Sequence, residues 1–171
     1  MRISVITPLF GGGAQIAEEA SRALNALGHH ASLIDMRPLQ ARYRELGRIC
    51  ASSEEAGLRF YAEVEQVLTS VIAEQRPDLV LSMSLAPLNA RFVAGVRERG
   101  ITTACWFVED CRRYTTWRWQ AGWFDHFFVI QKDPIIGMVE EVGGRSVRYL
   151  PTCGNRALAD SVHLTAEERR V

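Results

Sequence analysis

The chain has 171 residues, 47% of them hydrophobic, which is enough for one well-buried core of ordinary domain size. Its 20 basic and 20 acidic side chains cancel, so it lacks the basic footprint of a nucleic-acid or anionic-membrane binder. No apolar run approaches the ~18 residues of a membrane span, and the first residues lack the ~7–15-residue apolar stretch of a signal peptide.

Six short apolar runs alternate with helical patterns along the chain: residues 2–6, 31–35, 79–83, 101–107, 125–130 and 146–150. Near-continuous apolar character implies burial on both faces, as in a parallel sheet covered by helices. Between the first two runs, Ala17, Ala20, Leu24 and Leu27 recur at helical spacing before Gly28 stops the helix. The stretch 36–51 is Arg-rich and irregular, with room for one short helix. Ser52 to Glu55 reads as a capping box that opens a long helix, with Tyr61, Val64, Leu68 and Val71 on its inner face. Arg76-Pro77 ends that helix, because a residue before proline is pushed out of the α region.

Pro87 suits the first turn of a third helix, which runs to Gly100. The stretch 110–123 is crowded with aromatics and only weakly helical. Asp133-Pro134 reads as a cap and first-turn proline, with Ile135, Met138, Val139 and Val142 as the buried stripe before Gly143-Gly144. Alternation of this kind predicts a Rossmann-like α/β fold: a doubly wound parallel sheet of about six strands in the order 2-1-3-4-5-6.

Ligands of such folds bind at the C-terminal ends of the strands, and the chemistry-bearing residues cluster there. Thr7-Pro8-Leu9-Phe10-Gly11-Gly12-Gly13 joins the first strand to the first helix, and its bare N–H groups suit a phosphate, carboxylate or sugar hydroxyl. The same glycines also suit a plain tight turn, and they match neither dinucleotide nor P-loop spacing. Asp35 ends the second strand, as a ribose-binding acid or as a strand cap. Trp106-Phe107-Val108-Glu109-Asp110 runs off the fourth strand, and either acid could accept a proton from a hydroxyl. Arg112 and Arg113 follow at once and offer the alternative of an ion-paired surface turn.

Trp106, Trp117, Trp119 and Trp123 could stack on sugar rings or pack helix against sheet, and packing is expected for at least two of them. His29 and His30 fall in a connection at the far end of the sheet, and His126 falls within a strand. No His, Asp or Glu cluster has metal-ligand spacing, so neither metal nor cofactor is expected. Cys50, Cys105, Cys111 and Cys153 form no C-x-x-C pair, which suits a reducing compartment and a cytoplasmic protein.

Taken in order, several stretches resemble the N-terminal domain of the CgeB-like spore-maturation family of glycosyltransferase-like proteins. The matching pieces are Gly11-Gly12-Gly13, Pro77-Asp78-Leu79-Val80, Ser82 to Pro87, and Trp106-Phe107-Val108-Glu109-Asp110. They continue with Phe124-Asp125-His126-Phe127-Phe128-Val129-Ile130-Gln131-Lys132 and Tyr149-Leu150-Pro151, so the resemblance covers about residues 1–169. Two departures stand out. Cys111 follows Glu109-Asp110 where many members carry an aromatic, and Thr152-Cys153-Gly154-Asn155 lacks the acid associated with the crossover.

The resemblance implies the N-terminal half of a GT-B architecture, two Rossmann-like domains facing across a cleft. Residues 1–155 would then form the acceptor-side domain, and 156–171 the start of the connection to an absent C-terminal domain that holds the nucleotide-sugar donor. Within that frame Glu109 or Asp110 would be the catalytic base. Gly11, Gly12 and Gly13 would contact a phosphate, and Ser84, Trp106, Arg112, Arg113 and Tyr114 would bind substrate. The alternative is a non-catalytic ligand-binding or interaction module with the same fold.

Overall fold

The computed structural model describes residues 1–152. The expected connection at 156–171, Cys153 and the end of the Thr152-Cys153-Gly154-Asn155 segment lie outside the described residues. Six parallel strands form one sheet: β1 (Arg2–Ile6), β2 (His30–Ile34), β3 (Leu79–Met83), β4 (Thr102–Phe107), β5 (His126–Val129) and β6 (Val147–Tyr149). Their order is β2-β1-β3-β4-β5-β6, as expected, with every adjacent pair parallel. The helices are α1 (Gly13–Ala26), α2 (Gln40–Ile49), α3 (Ser53–Gln75), α4 (Ala90–Glu98), α5 (Trp117–Gln120) and α6 (Ile135–Glu141). This is a doubly wound, Rossmann-like α/β fold.

The switch in direction beside β1 decides which helix covers which face. With right-handed crossovers, the connection from β1 out to β2 runs on one face and every later connection runs on the other. Accordingly Ala17 of α1 packs with Ile3, Val5, Met83, Trp106 and Val108 in one apolar cluster. Phe60 and Leu68 of α3, Phe92 of α4, Trp117 of α5 and Val139 of α6 share the larger cluster with Ile6, Phe107 and Phe127. Among the described residues α1 is thus the one helix on its face.

Several helices differ in detail from the sequence reading. In α3 the buried stripe is Ala56, Phe60, Val64, Leu68 and Ile72, a strict four-residue repeat, while Tyr61 is exposed and Val71 only partly buried. The capping box is real: Ser52 Oγ accepts the Glu55 N–H at 3.1 Å, and Glu55 Oε2 accepts the Ala51 N–H at 3.0 Å. Arg76 ends α3 in the left-handed region at φ 46°. Pro87 lies before α4 rather than in its first turn, because Asn89 caps that helix by accepting the Phe92 N–H at 2.8 Å. Asp133 makes no cap bond to α6; the chain enters that helix through a turn in which the Ile135 N–H reaches Lys132 O. Leu27 and Val142 lie past the last turns of α1 and α6 and are exposed, since the inner face of each helix has ended before them.

The irregular stretch 36–51 holds a full ten-residue helix, α2. Arg42 clamps it to α3 through two bonds to Glu63, at 2.8 and 2.6 Å. Tyr43 stands edge-on between Phe10 and Phe60. These are tertiary contacts, which is why local pattern understated the helix.

Candidate functional site

The strand registers align the C-terminal ends of the sheet. Ile6 sits beside Ile34 and Ser82, Met83 beside Trp106, and Phe107 beside Val129. The segments after β1, β3, β4 and β5 therefore leave the sheet along one rim.

The glycine turn occupies the rim above β1. Gly11 has φ +86°, a conformation that favours glycine, and a Cβ on either Gly11 or Gly12 would meet nothing within 4 Å. That side of the turn is open. Gly13 starts α1, whose N-terminus has no side-chain cap and no first-turn acid. A Cβ on Gly13 would stand 3.1 Å from Pro8 Cγ and 3.7 Å from Val108 Cγ2, so the turn packs directly beside the segment leaving β4. Gln40 holds the turn from α2, donating to Leu9 O at 2.6 Å. The loop is a tight turn at Gly11, and its outer side is open.

Asp35 lies just beyond β2 and is engaged. Arg37 grips its carboxylate through Nε at 2.8 Å and Nη2 at 2.7 Å, and reaches Glu18 at 2.8 Å with the same Nη2. The Arg37 hydrogen bond holds the Asp35 carboxyl below the usual range. The acid closes the strand end, in keeping with the capping reading.

The segment after β4 separates the two adjacent acids. Asp110 accepts from the Arg112 N–H at 2.9 Å and from Arg112 Nε and Nη2 at 3.1 Å each, and these bonds hold its carboxyl low. It is the paired acid of a surface turn. Glu109 is half-buried, and its carboxylate makes no hydrogen bond or ion pair among the described residues. Only its backbone carbonyl is held, by Gln131 Nε2 at 3.4 Å. Glu109 is therefore the acid with oxygens free for a ligand.

The other expected site residues divide between rim and support. Ser84 is buried beneath the rim; its hydroxyl accepts the Val108 N–H at 3.2 Å, and its own N–H donates to Trp106 O at 2.9 Å. Trp106 lies on the α1 face, also buried, with its indole N–H on Leu150 O at 3.0 Å. Arg113 is exposed and sits over the Tyr114 ring at 5.6 Å, while Tyr114 itself packs against the larger core cluster. Trp117 is buried, donates to Cys111 O at 2.8 Å, and anchors the whole 110–118 segment. Trp123 packs on the core and Trp119 is exposed, so three of the four tryptophans pack.

A cleft of about 480 Å³ opens between the segments following β4 and β5, lined by Arg112, Arg118, Gln131, Lys132, Asp133 and Met138 among others. Sequence reasoning noted Gln131 and Lys132 only as part of a family-like run. Their place directly after β5, at the C-terminal end of a parallel strand, was the signal that marks them as rim residues.

Burial pushes the Cys111 thiol up to about 11, and burial raises Cys105 further still. Neither is a nucleophile in waiting. Among the described residues no three His, Cys, Asp or Glu side chains are placed to hold a metal ion, and no helix is long and apolar enough to cross a membrane.

Fold and rim together define a parallel doubly wound domain whose strand C-terminal edge carries an open glycine turn, the unpaired Glu109 carboxylate and a cleft lined by Arg112, Arg118 and Lys132. No protein-family model matches the chain, and no curated protein matches it. Among solved structures it is similar to the MurG of Acinetobacter baumannii, at 11% identity and a TM-score of 0.41, over 92% of this chain and 70% of that one. At those values the likeness carries nothing about activity.

Proposed function

We propose that this domain is the acceptor-side half of a CgeB-like GT-B glycosyltransferase, with Glu109 as the base that activates the acceptor hydroxyl. The observation that carries the reading is the unpaired, half-buried Glu109 carboxylate at the end of β4, next to an Asp110 that Arg112 already occupies. The acceptor oxygen forms a bond to the anomeric carbon of the nucleotide sugar. The bond from that carbon to the nucleotide phosphate breaks, and the hydroxyl proton passes to Glu109. Backbone N–H groups at Gly11 to Gly13 face phosphate oxygens, and Arg113 steadies polar groups of the acceptor. The donor is held by a second domain across the cleft. The free thiols of Cys50, Cys105 and Cys111 suit the cytoplasmic setting that belongs to this reading.

The test is turnover by the two-domain protein, read from the gene's full open frame. Glu109→Gln should leave melting unchanged and lower turnover by roughly 10²–10⁴-fold. Asp110→Asn should stay close to wild type in turnover. Near-wild-type turnover in Glu109→Gln would end the general-base assignment. The 171-residue chain alone should transfer no sugar, because transition-state stabilisation needs both sides of the cleft. Turnover by this chain alone would point away from a half-enzyme, and failure of the full protein to transfer any sugar would leave the ligand-binding module as the reading.

A further inference from the structure

We propose that the cleft between the β4 and β5 segments is a phosphate site that takes the phosphate of a phosphorylated sugar, the acceptor in the transfer proposed above. The inference rests on the transferase reading only in calling the ligand an acceptor; the chemistry of the cleft stands without it.

The volume of about 480 Å³ falls within the range of small-molecule sites, roughly 300–1,000 Å³. Arg112, Arg118 and Lys132 line it, against the single carboxylate of Asp133. Arg112 is engaged with Asp110, but Arg118 and Lys132 make no ion pair among the described residues. Both are instead held on aromatic faces, Arg118 at 4.6 Å over Trp117 and Lys132 at 5.2 Å over Tyr149. Trp117 is buried and cannot swing, so the Arg118 guanidinium is steadied before any ligand arrives. Two unpaired cations on two separate segments match a tetrahedral anion, whose oxygens point in several directions. A planar carboxylate would be served by one guanidinium fork.

Gln131 supplies a sugar-facing element. Its Nε2 donates to Glu109 O, and its Oε1 is buried with no donor. A buried amide oxygen without a partner is costly, and a ring hydroxyl entering beside Gln131, with a small turn of the amide, supplies the missing proton. The same residue thus joins the cleft to the backbone of Glu109. A phosphate seated between Arg118 and Lys132 leaves its sugar within the cleft beside Gln131, the residue bonded to the Glu109 carbonyl.

Lys132 is the chain's only lysine, which gives a direct probe. Reductive methylation with ¹³C-formaldehyde keeps the charge and labels Lys132 and the N-terminal amine alone. Met1 lies at the opposite end of the sheet and serves as the internal control. Titration with hexose 6-phosphate should shift the Lys132 signal saturably and leave the Met1 signal in place. Inorganic phosphate should bind more weakly, and glucose should shift neither signal. Arg118→Gln, a surface change checked by melting, should weaken hexose-phosphate binding about tenfold or more.

No saturable shift at Lys132, or binding indifferent to Arg118→Gln, overturns the phosphate site. Tighter binding of uridine diphosphate than of hexose phosphate overturns the acceptor assignment, since the phosphate then belongs to a nucleotide. None of these outcomes depends on turnover, so they are separable from the Glu109→Gln result.

Discussion

The hydroxyl of Ser84 accepts the backbone N–H of Val108 at 3.2 Å, and this bond fixes the point at which the chain leaves β4. The turn after β3 thereby supports the segment that carries Glu109, from the neighbouring strand. Both groups are buried, so truncating the hydroxyl leaves the Val108 N–H with no partner.

Ser84→Ala should therefore cost about 1–3 kcal/mol. The measurement is urea unfolding of the 171-residue chain, with the slope against denaturant unchanged. If Glu109 is the base of the proposed two-domain transferase, the same variant should lower its turnover through misplacement of Glu109, while Ser84→Thr recovers part of the loss. Stability equal to wild type in Ser84→Ala would remove the Val108 bond as a support of the rim.

The glycine turn separates backbone strain from ligand contact. Gly11→Ala forces a side chain into φ +86° and should cost ~1–2 kcal/mol in melting of the chain. Gly12 has φ −73° and open space where a Cβ would go. Gly12→Ala should cost less than about 1 kcal/mol. If the open backbone faces ligand phosphate in the proposed two-domain transferase, the added methyl lowers its turnover at least tenfold with melting nearly unchanged. Full activity in Gly12→Ala would reduce the loop to a turn.

The register of α3 is checked by two neighbouring aromatics. Phe60 is 2% exposed and Tyr61 42% exposed. Phe60→Ala should cost about 3–5 kcal/mol, whereas Tyr61→Ala should cost under half as much. Equal losses would mean that the helix face is rotated from the one described.

Asp125 links pH to stability. Burial raises its pKa, but the hydrogen bonds from the Thr103 N–H at 3.0 Å and Thr103 Oγ1 at 2.9 Å, with Arg97 at 2.8 Å, outweigh it and hold the carboxyl below its ordinary value of 3.8. A carboxyl whose folded pKa is depressed adds stability above the unfolded pKa, and that stability is lost as pH falls through the folded one. Asp125→Asn should therefore be less stable than wild type at pH 7, and the gap should narrow towards pH 3. Urea unfolding at pH 7, 5 and 3 reads the difference. A gap that stays constant would show that charge is not what Asp125 contributes.

How much was legible in advance varied with the reach of the interaction. Six apolar runs separated by helical patterns implied six parallel strands in their observed order, because βαβ handedness leaves few topologies for such an alternation. The stops at Gly28 and Gly100 were legible too, since glycine accepts positive φ. The stop at Arg76-Pro77 was legible because proline pushes its predecessor out of the right-handed α region, although Arg76 turns left-handed rather than extended. The inner face of α3 holds Val64 and Leu68 as expected, but the large residues flanking them are Phe60 and Ile72 rather than Tyr61 and Val71, because the packing of α2 and the sheet chooses between neighbouring large side chains. Asn89 was passed over for Pro87, and α2 was underestimated because its support comes from Arg42–Glu63 and Tyr43–Phe60 across the fold.

By itself, then, the sequence determined the fold class, the strand order and the end of the sheet where the candidate site residues gather, because all three follow from near-neighbour pattern and chain handedness. Only the tertiary structure decided which of two adjacent acids is free, placed Ser84 as a support under the rim, and joined Arg118 to Lys132 in one cleft. The physical reason is distance along the chain. Glu109 and Asp110 carry the same charge and stand one residue apart, and their difference arises when Arg112 folds back on one and Gln131, 22 residues on, reaches the carbonyl of the other.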